Sequence, residues 1–321
     1  MQISPGTLRK ILLGISFEKT TFARPGFSPD DSLAHEHFRC IVRAFLHGYH
    51  AVLEDDRFEV LLPSLEIINA EYLGFAFEGA ALALTCIDFF SPWKRRFQTF
   101  LEGPGVNHTY ALHIGAGWTL RWLPHNLTRF MSQFDPLLVW LVVDGYGFSQ
   151  GFSSWHHYLH EQARPARLSG YALRVFDQGL GRSLWFVKGA DPYQIITTIQ
   201  TFPLSRQSDL WSGVGVACAY AGGVGSDSLH VLQEAAGREQ PHLAQGAIFA
   251  AMARKQAGNR VAYTDLACEI MSGTSSDEAI HLARKSVQGL PQNALAYEIW
   301  RSRVRGELIE RGEIVQPSVV E

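Results

Sequence analysis

The chain has 321 residues, of which 46% are hydrophobic, 12% aromatic and only 18% charged. Such a chain buries enough apolar surface to offset its ordering entropy, which excludes intrinsic disorder, and its length builds one large domain or two small ones. A formal net charge of −3 and a pI near 6.5 exclude a global pull toward nucleic acid or anionic membrane.

The first 35 residues mix Pro, Gly and charge and read as an irregular lead-in. The uncharged stretch between Lys10 and Glu18 is too short for a secretory signal core. From His35 to Leu53, Phe38, Ile41, Val42, Phe45, Leu46, Tyr49 and Val52 recur at three- and four-residue steps, which predicts an amphipathic helix. Glu66 to Phe90 lacks Pro and is rich in Ala and Leu, so it predicts a long, largely buried helix. Glu78 and Asp88 interrupt its apolar run, and a bilayer span needs ~18–20 apolar residues. Ser91-Pro92 restarts the chain in helical style, and Lys94-Arg95-Arg96 reads as a solvated helix face. Gly103-Pro104-Gly105 is a break.

Asn107 to Leu123 predicts another apolar helix, rich in small residues at Gly115, Ala116 and Gly117. Asp135-Pro136 opens the apolar segment Leu137 to Val143, which ends at Asp144-Gly145; its periodicity fits helix and buried strand equally. The same holds for Tyr171–Phe176 and Ser183–Val187, beyond the polar loop Glu161–Ser169. From Pro192 onward helices are predicted near 192–201, 207–222, 226–236, 240–257, 261–272, 276–288 and 291–312. The predicted fold is mostly α, a compact helical bundle: a lead-in over 1–35, one domain over 36–312 and a tail over 313–321. A faint echo relates Tyr72-Leu73-Gly74 to Trp211-Ser212-Gly213, and Leu112–Gly115 to Leu243–Gly246. Duplicated hairpins about a pseudo-two-fold axis would produce it, and so would chance likeness of Ala/Gly-rich helices.

Cys40, Cys86, Cys218 and Cys268 are far apart with no CxxC spacing, which fits buried reduced thiols in a cytosolic protein. Gly213-x-Gly215 lacks the third glycine of a dinucleotide turn, because position 218 is Cys218, and close helix packing explains it better. Asp55-Asp56-Arg57-Phe58-Glu59 matches the spacing of the acidic diphosphate motif of class I terpene synthases, where carboxylates hold Mg²⁺. Ser208-Asp209-Leu210-Trp211-Ser212 loosely resembles the start of their second motif, but its third ligand position is Val216. His156 and His160 share a helical face as a metal pair would, without the glutamate of a zinc protease and with His157 merely adjoining. No serine stands in a G-x-S-x-G elbow.

The most distinctive stretches are Asp144-Gly-Tyr-Gly-Phe148 and Asp177-Gln-Gly-Leu-Gly-Arg-Ser-Leu-Trp-Phe186. Each sets a carboxylate and flexible backbone beside aromatics. As turns, they either pin two core segments or form the polar end of an apolar pocket. Together with Asp209-Leu-Trp-Ser-Gly-Val-Gly-Val-Ala217, Tyr220-Ala-Gly-Gly223 and Leu243-Ala-Gln-Gly-Ala-Ile-Phe-Ala-Ala251, they resemble a bacterial family of unknown function, the UnbL-like enediyne biosynthesis proteins. The resemblance covers about Leu12 to Gly273. It implies a role in specialised metabolism beside a polyketide synthase that makes a linear conjugated polyene, and it transfers no catalytic residue.

The expected protein is a cytoplasmic enzyme that binds and tailors a hydrophobic linear polyene intermediate. Asp144, Asp177, Arg182 and Glu78 are its expected catalytic residues. Phe148, Trp185, Phe186, Trp211, Tyr220, His113 and Gln245 are its expected substrate contacts, with His108 and His242 as further histidines on apolar helices. No metal and no cofactor are expected. The expected partners are the hydrophobic intermediate and a polyketide synthase or other cluster proteins, with no nucleic acid and no membrane span; glycine-rich helices would permit a homodimer. The alternatives are an accessory protein that shields the intermediate and a terpene-cyclase-like enzyme using Mg²⁺ and a prenyl diphosphate.

Overall fold

Capping chemistry sets where the helices of this chain begin and end. In the computed structural model, which describes residues 5–16, 33–124, 126–293 and 295–312, the Asn69 side chain accepts from the Glu71 amide. Asp191 does the same for Tyr193 and Gln194 with Pro192 in the first turn. Ser275 and Glu278 form a reciprocal capping box. Gly258 and Gly273 close their helices in the left-handed conformation, open to glycine at no steric cost.

Among the described residues there are sixteen α-helices and no strand. They are α1 (Pro5–Leu13), α2 (Leu33–Glu54), α3 (Phe58–Glu66), α4 (Ala70–Phe90), α5 (Arg96–Glu102), α6 (Thr109–Trp118), α7 (Leu127–Met131) and α8 (Trp140–Ser153). Then follow α9 (Tyr171–Val187), α10 (Pro192–Gln200), α11 (Leu204–Ala221), α12 (Ser226–Ala236), α13 (Gln240–Ala257), α14 (Ala262–Ser272), α15 (Ser276–Ser286) and α16 (Ala296–Glu310).

The seven segments predicted from Pro192 onward all form helices. Four details differ from the sequence reading. The lead-in contains α1, tied to the end of α2 by Lys10–Glu54 and Arg9–Asp56 ion pairs. The helix expected from Glu66 divides where Asn69 caps α4. The helix expected over 107–123 is confined to α6, with a 3₁₀ turn at each end. Of the three ambiguous stretches, Tyr171–Phe176 and Ser183–Val187 are helical and Leu137–Val143 is helical from Trp140, so Asp144-Gly145 and Gly179–Gly181 are not turns but lie inside α8 and α9.

Seven helices, α2, α4, α6, α8, α9, α11 and α13, lie side by side in chain order. They run in the same direction. His37 meets Tyr72 and Tyr49 meets Gly79 between α2 and α4; Trp140 meets Tyr171 and Phe148 meets Phe186 between α8 and α9. Between α11 and α13, Ser212 meets Gln245 and Tyr220 meets Arg254. Shorter elements return the chain between them.

The backbones touch because glycine stands where they cross. A Cβ on Gly145 would lie 2.1 Å from the Ile114 carbonyl oxygen of α6, and one on Gly147 would lie 2.2 Å from that of Phe176 on α9. Gly179 faces Asp144 and Gly181 faces Leu210; Gly213 faces Gln178 and Gly215 faces Leu243. Each G-x-G doublet thus gives one glycine to the preceding helix and the other to the next. The duplication is finer than a pair of hairpins. Leu112–Gly115 and Leu243–Gly246 do occupy equivalent places, since Gly115 meets α4 and Gly246 meets α11, whereas Gly213 corresponds to Gly79 and not to Gly74. Of the described helices, Ala70–Phe90 is long and apolar enough to cross a bilayer, and 78% of its apolar window is buried inside the fold.

Candidate functional site

The array curls on itself. Phe38 of α2 meets Phe186 of α9 with ring centroids 5.0 Å apart, and Phe75 of α4 meets Tyr220 of α11 at 5.2 Å. The curl leaves a cavity of about 380 Å³ between α2, α4, α6, α8 and α9, within the range of small-molecule sites. Ile41, Val42, Phe45, Phe75, Trp118, Phe148, Phe152 and Phe186 wall it, and Arg121, Trp122, Ser153, Gly14 and Ile15 complete the lining. Trp122 and Gly14 are exposed, so they mark its mouth.

Three charged side chains line this apolar space, Glu78 from α4, Arg182 from α9 and Arg121 from the 3₁₀ turn after α6, which donates to the Ser149 carbonyl at 3.2 Å. Glu78 is 5% exposed, and its Oε1 accepts from the Trp118 indole N–H at 3.0 Å. Burial pushes its carboxyl up to about 7, against the pull of Arg182. The Arg182 guanidinium donates to Asp144 Oδ1 and lies 5.0 Å from the Phe148 ring centre. The other Asp144 oxygen accepts from Gln178 Nε2 at 2.7 Å. Gln178 and Arg182 are four residues apart on one helical face, so both reach the same carboxylate. The result is a buried acid whose carboxyl is raised toward neutral pH, beside a cation held in place by a buried anion. Such a set can give or take a proton and steady charge on a bound oxygen.

Of the expected site residues, the structure brings Glu78, Arg182, Phe148 and Phe186 to the cavity, with Asp144 behind Arg182. Asp177 is not among them. It points off the other side of α9, where Arg206 Nε at 2.9 Å and Nη2 at 2.5 Å hold its carboxylate. Trp185 is buried with its indole N–H on the Gly222 carbonyl, and Trp211 is buried in α11; neither lines the cavity. Tyr220 stands behind Phe75, with the Arg254 guanidinium 4.5 Å from its ring centre. His113 donates from Nδ1 to the Thr109 carbonyl at 2.7 Å, beside Phe134 rather than Phe148. Gln245 accepts from Ser212 and Arg301, deep in the α11–α13–α16 core.

The acidic motif at α2–α3 is neutralised locally: Arg57 clasps Asp55, while Arg9 and Arg96 hold Asp56. Asp209 pairs with Arg174 and Arg301 in the core, so the two segments that resemble terpene-synthase motifs share no cavity. His156 and His160 stack at 4.8 Å, and Glu161 pairs with His156 and His157. No group of three or more His, Cys, Asp or Glu among the described residues could hold a metal ion. All four cysteines are unpaired, and Cys86, Cys218 and Cys268 are buried.

Residues 4–308 match DUF1702, a protein family of unknown function. The chain belongs to that family. No curated protein and no solved structure matches it, and nothing in the family match ties it to enediyne biosynthesis.

Sequence reasoning missed part of this DUF1702 cavity. Phe45, Phe75, Trp118 and Phe152 wall it, yet each sits at an ordinary core position of an apolar helix. The available signal was the G-x-G doublet at 115, 145, 179 and 213, spaced 30 to 34 residues apart. It marks which helices cross closely, and so which of their faces turn inward together.

Proposed function

We propose that this DUF1702 protein is an enzyme of specialised metabolism that binds a linear, hydrophobic polyene-type polyketide intermediate in the aromatic cavity. There it moves a proton on that intermediate through Glu78. One observation carries the reading: Glu78 and Arg182 meet at a cavity whose walls are otherwise mostly rings and aliphatic side chains. The resemblance to enediyne-biosynthesis proteins supports the choice of substrate. Charge narrows it further. Arg182 is already matched by Asp144, so with Glu78 protonated the trio is neutral and a ligand carboxylate would add an unmatched buried charge. The ligand group that meets this trio is therefore a carbonyl. In its ionised form Glu78 takes a proton from the carbon next to that carbonyl, and Arg182 steadies the negative charge that develops on the carbonyl oxygen. Glu78 returns the proton to another carbon of the conjugated chain, so the net change is an isomerisation; Asp144 keeps Arg182 in place. The reading needs no cofactor and places the protein in the cytoplasm beside a polyketide synthase.

The test combines binding and turnover. Deleting the gene from its cluster should abolish the finished product. Purified protein should bind a linear polyene ketone, read by quenching of Trp118 and its neighbours, and should convert it. Glu78→Gln should keep binding while turnover falls by about 10²–10⁴. Binding by both proteins with turnover by neither would instead identify a carrier that shields the intermediate, and failure to bind would sink both readings.

A further inference from the structure

A second cleft, of about 490 Å³, opens away from the aromatic cavity between the π-helical turn His156–His160, the C-terminal end of α9 and α10. Its chemistry is different. α10 turns one hydroxyl-bearing face toward it, Tyr193, Thr197 and Thr201 at four-residue steps, with Lys188 and His160 beside them and Trp155 at the edge.

Its rim is built from uncommon backbone. Three non-glycine residues among those described adopt positive φ, and two of them, Gln162 (φ 58°) and Ala190 (φ 59°), flank this cleft. The third is Arg95. Such conformations persist only where surroundings fix them, and π-turns concentrate at functional sites. Here the surroundings do fix them. The Gln162 carbonyl accepts from Arg206 Nη1 at 2.7 Å, and its side chain donates to the Thr201 carbonyl at 2.9 Å.

Nearby acids are engaged elsewhere. Asp191 caps α10 and accepts from Gln194 Nε2, and Glu161 pairs with His156 and His157. Lys188 is half-buried, and desolvation alone holds its amine below the ordinary range, with no anion offsetting it. An oxyanion in the cleft would supply that missing charge. A carboxylate offers two oxygens, fewer than the ammonium and hydroxyl donors that line the cleft could use, whereas a phosphate offers three or more. The cleft is also far larger than a bare inorganic ion, and Trp155 lines the remaining space.

We infer that Lys188, Tyr193 and Thr197 form a binding site for an organic phosphate ester, separate from the aromatic cavity. Phenyl phosphate is the probe, titrated into the full chain by calorimetry with inorganic phosphate and benzoate as comparisons. Phenyl phosphate should saturate one site, at least tenfold tighter than benzoate and tighter than inorganic phosphate. Lys188→Gln should weaken it at least tenfold, Lys188→Arg should retain most of the affinity, and Trp155→Leu should remove the advantage over inorganic phosphate. Lys188 is a partly exposed helix-end residue, so an unchanged circular-dichroism melt verifies that its variants fold. Absence of saturable binding, equal affinity for benzoate, or unchanged binding by Lys188→Gln would overturn the inference.

Discussion

Glu78 stands on α4 among Phe75, Ala81 and Leu82, where an ionised carboxylate has little water to solvate it. Its ordinary value near 4.5 rises to about 7 in the folded protein, so the folded state holds more protons than the unfolded state between those two pH values. Stability from this group is complete below the lower value and is lost as pH rises toward the upper one. Relative to Glu78→Gln, the wild type should lose about 3 kcal/mol between pH 4.5 and 8; urea unfolding of both proteins at the two pH values reads the difference. Arg182 obeys the opposite logic. Removing it by Arg182→Met strands Asp144, which is 1% exposed, and should cost about 3–5 kcal/mol. Asp177 should be insensitive in activity and sensitive in stability, since Asp177→Asn breaks a pair with Arg206 that lies outside the cavity.

At the scale of the helices, glycine has two meanings in this chain. Gly179 lies where α8 and α9 cross, and a Cβ there would stand 2.1 Å from the Asp144 carbonyl oxygen. Gly306 lies in α16, and a Cβ there would meet nothing within 4 Å. Alanine should therefore act with opposite signs: Gly306→Ala stabilises by about 0.5–1 kcal/mol through helix propensity. Gly179→Ala forces the two helices apart and destabilises by about 3 kcal/mol or more. Thermal melts of the two variants beside the wild type check both signs. The helices themselves were largely legible in the sequence, because apolar side chains recurring at three- and four-residue steps mark a buried helix face locally, whereas the Asn69 cap that divides α3 from α4 was not read. The Asp144 and Gly179 segments were misread as turns because glycine signals a break only when no neighbouring backbone claims the space.

Across the whole molecule, α16 is locked onto the array by Arg301, a fully buried guanidinium. It reaches Asp209 at 3.0 Å, Gln245 at 3.1 Å and Glu298 at 3.1 Å. Arg301→Leu should lower unfolding stability by about 3–5 kcal/mol, because Asp209 keeps only Arg174 as its ion-pair partner. Acid should loosen the fold from another side. Burial holds His108 and His113 down to about 4 and His242 down to about 3, all below their ordinary 6.5. The unfolded chain takes up protons there first, so their contribution to stability falls as pH drops from 6.5 toward 4. His108→Phe, which keeps the ring stacked on Phe77 at 3.9 Å, should flatten that slope in acid denaturation.

The sequence by itself determined an α-helical chain with an apolar excess and named Glu78, Asp144, Arg182, Phe148 and Phe186 among its candidate residues. Those readings rest on composition, on three- and four-residue periodicity and on short motifs, which are properties of neighbours along the chain. Which polar groups meet was decided only by the tertiary structure. Glu78 finds Trp118 forty residues away, and Asp144 finds Arg182 rather than Asp177's partner Arg206 because Asp177 and Gln178 point about 100° apart around α9. That choice depends on which face of each helix is turned inward, and the glycine crossings fix those faces through contacts about a repeat apart in sequence.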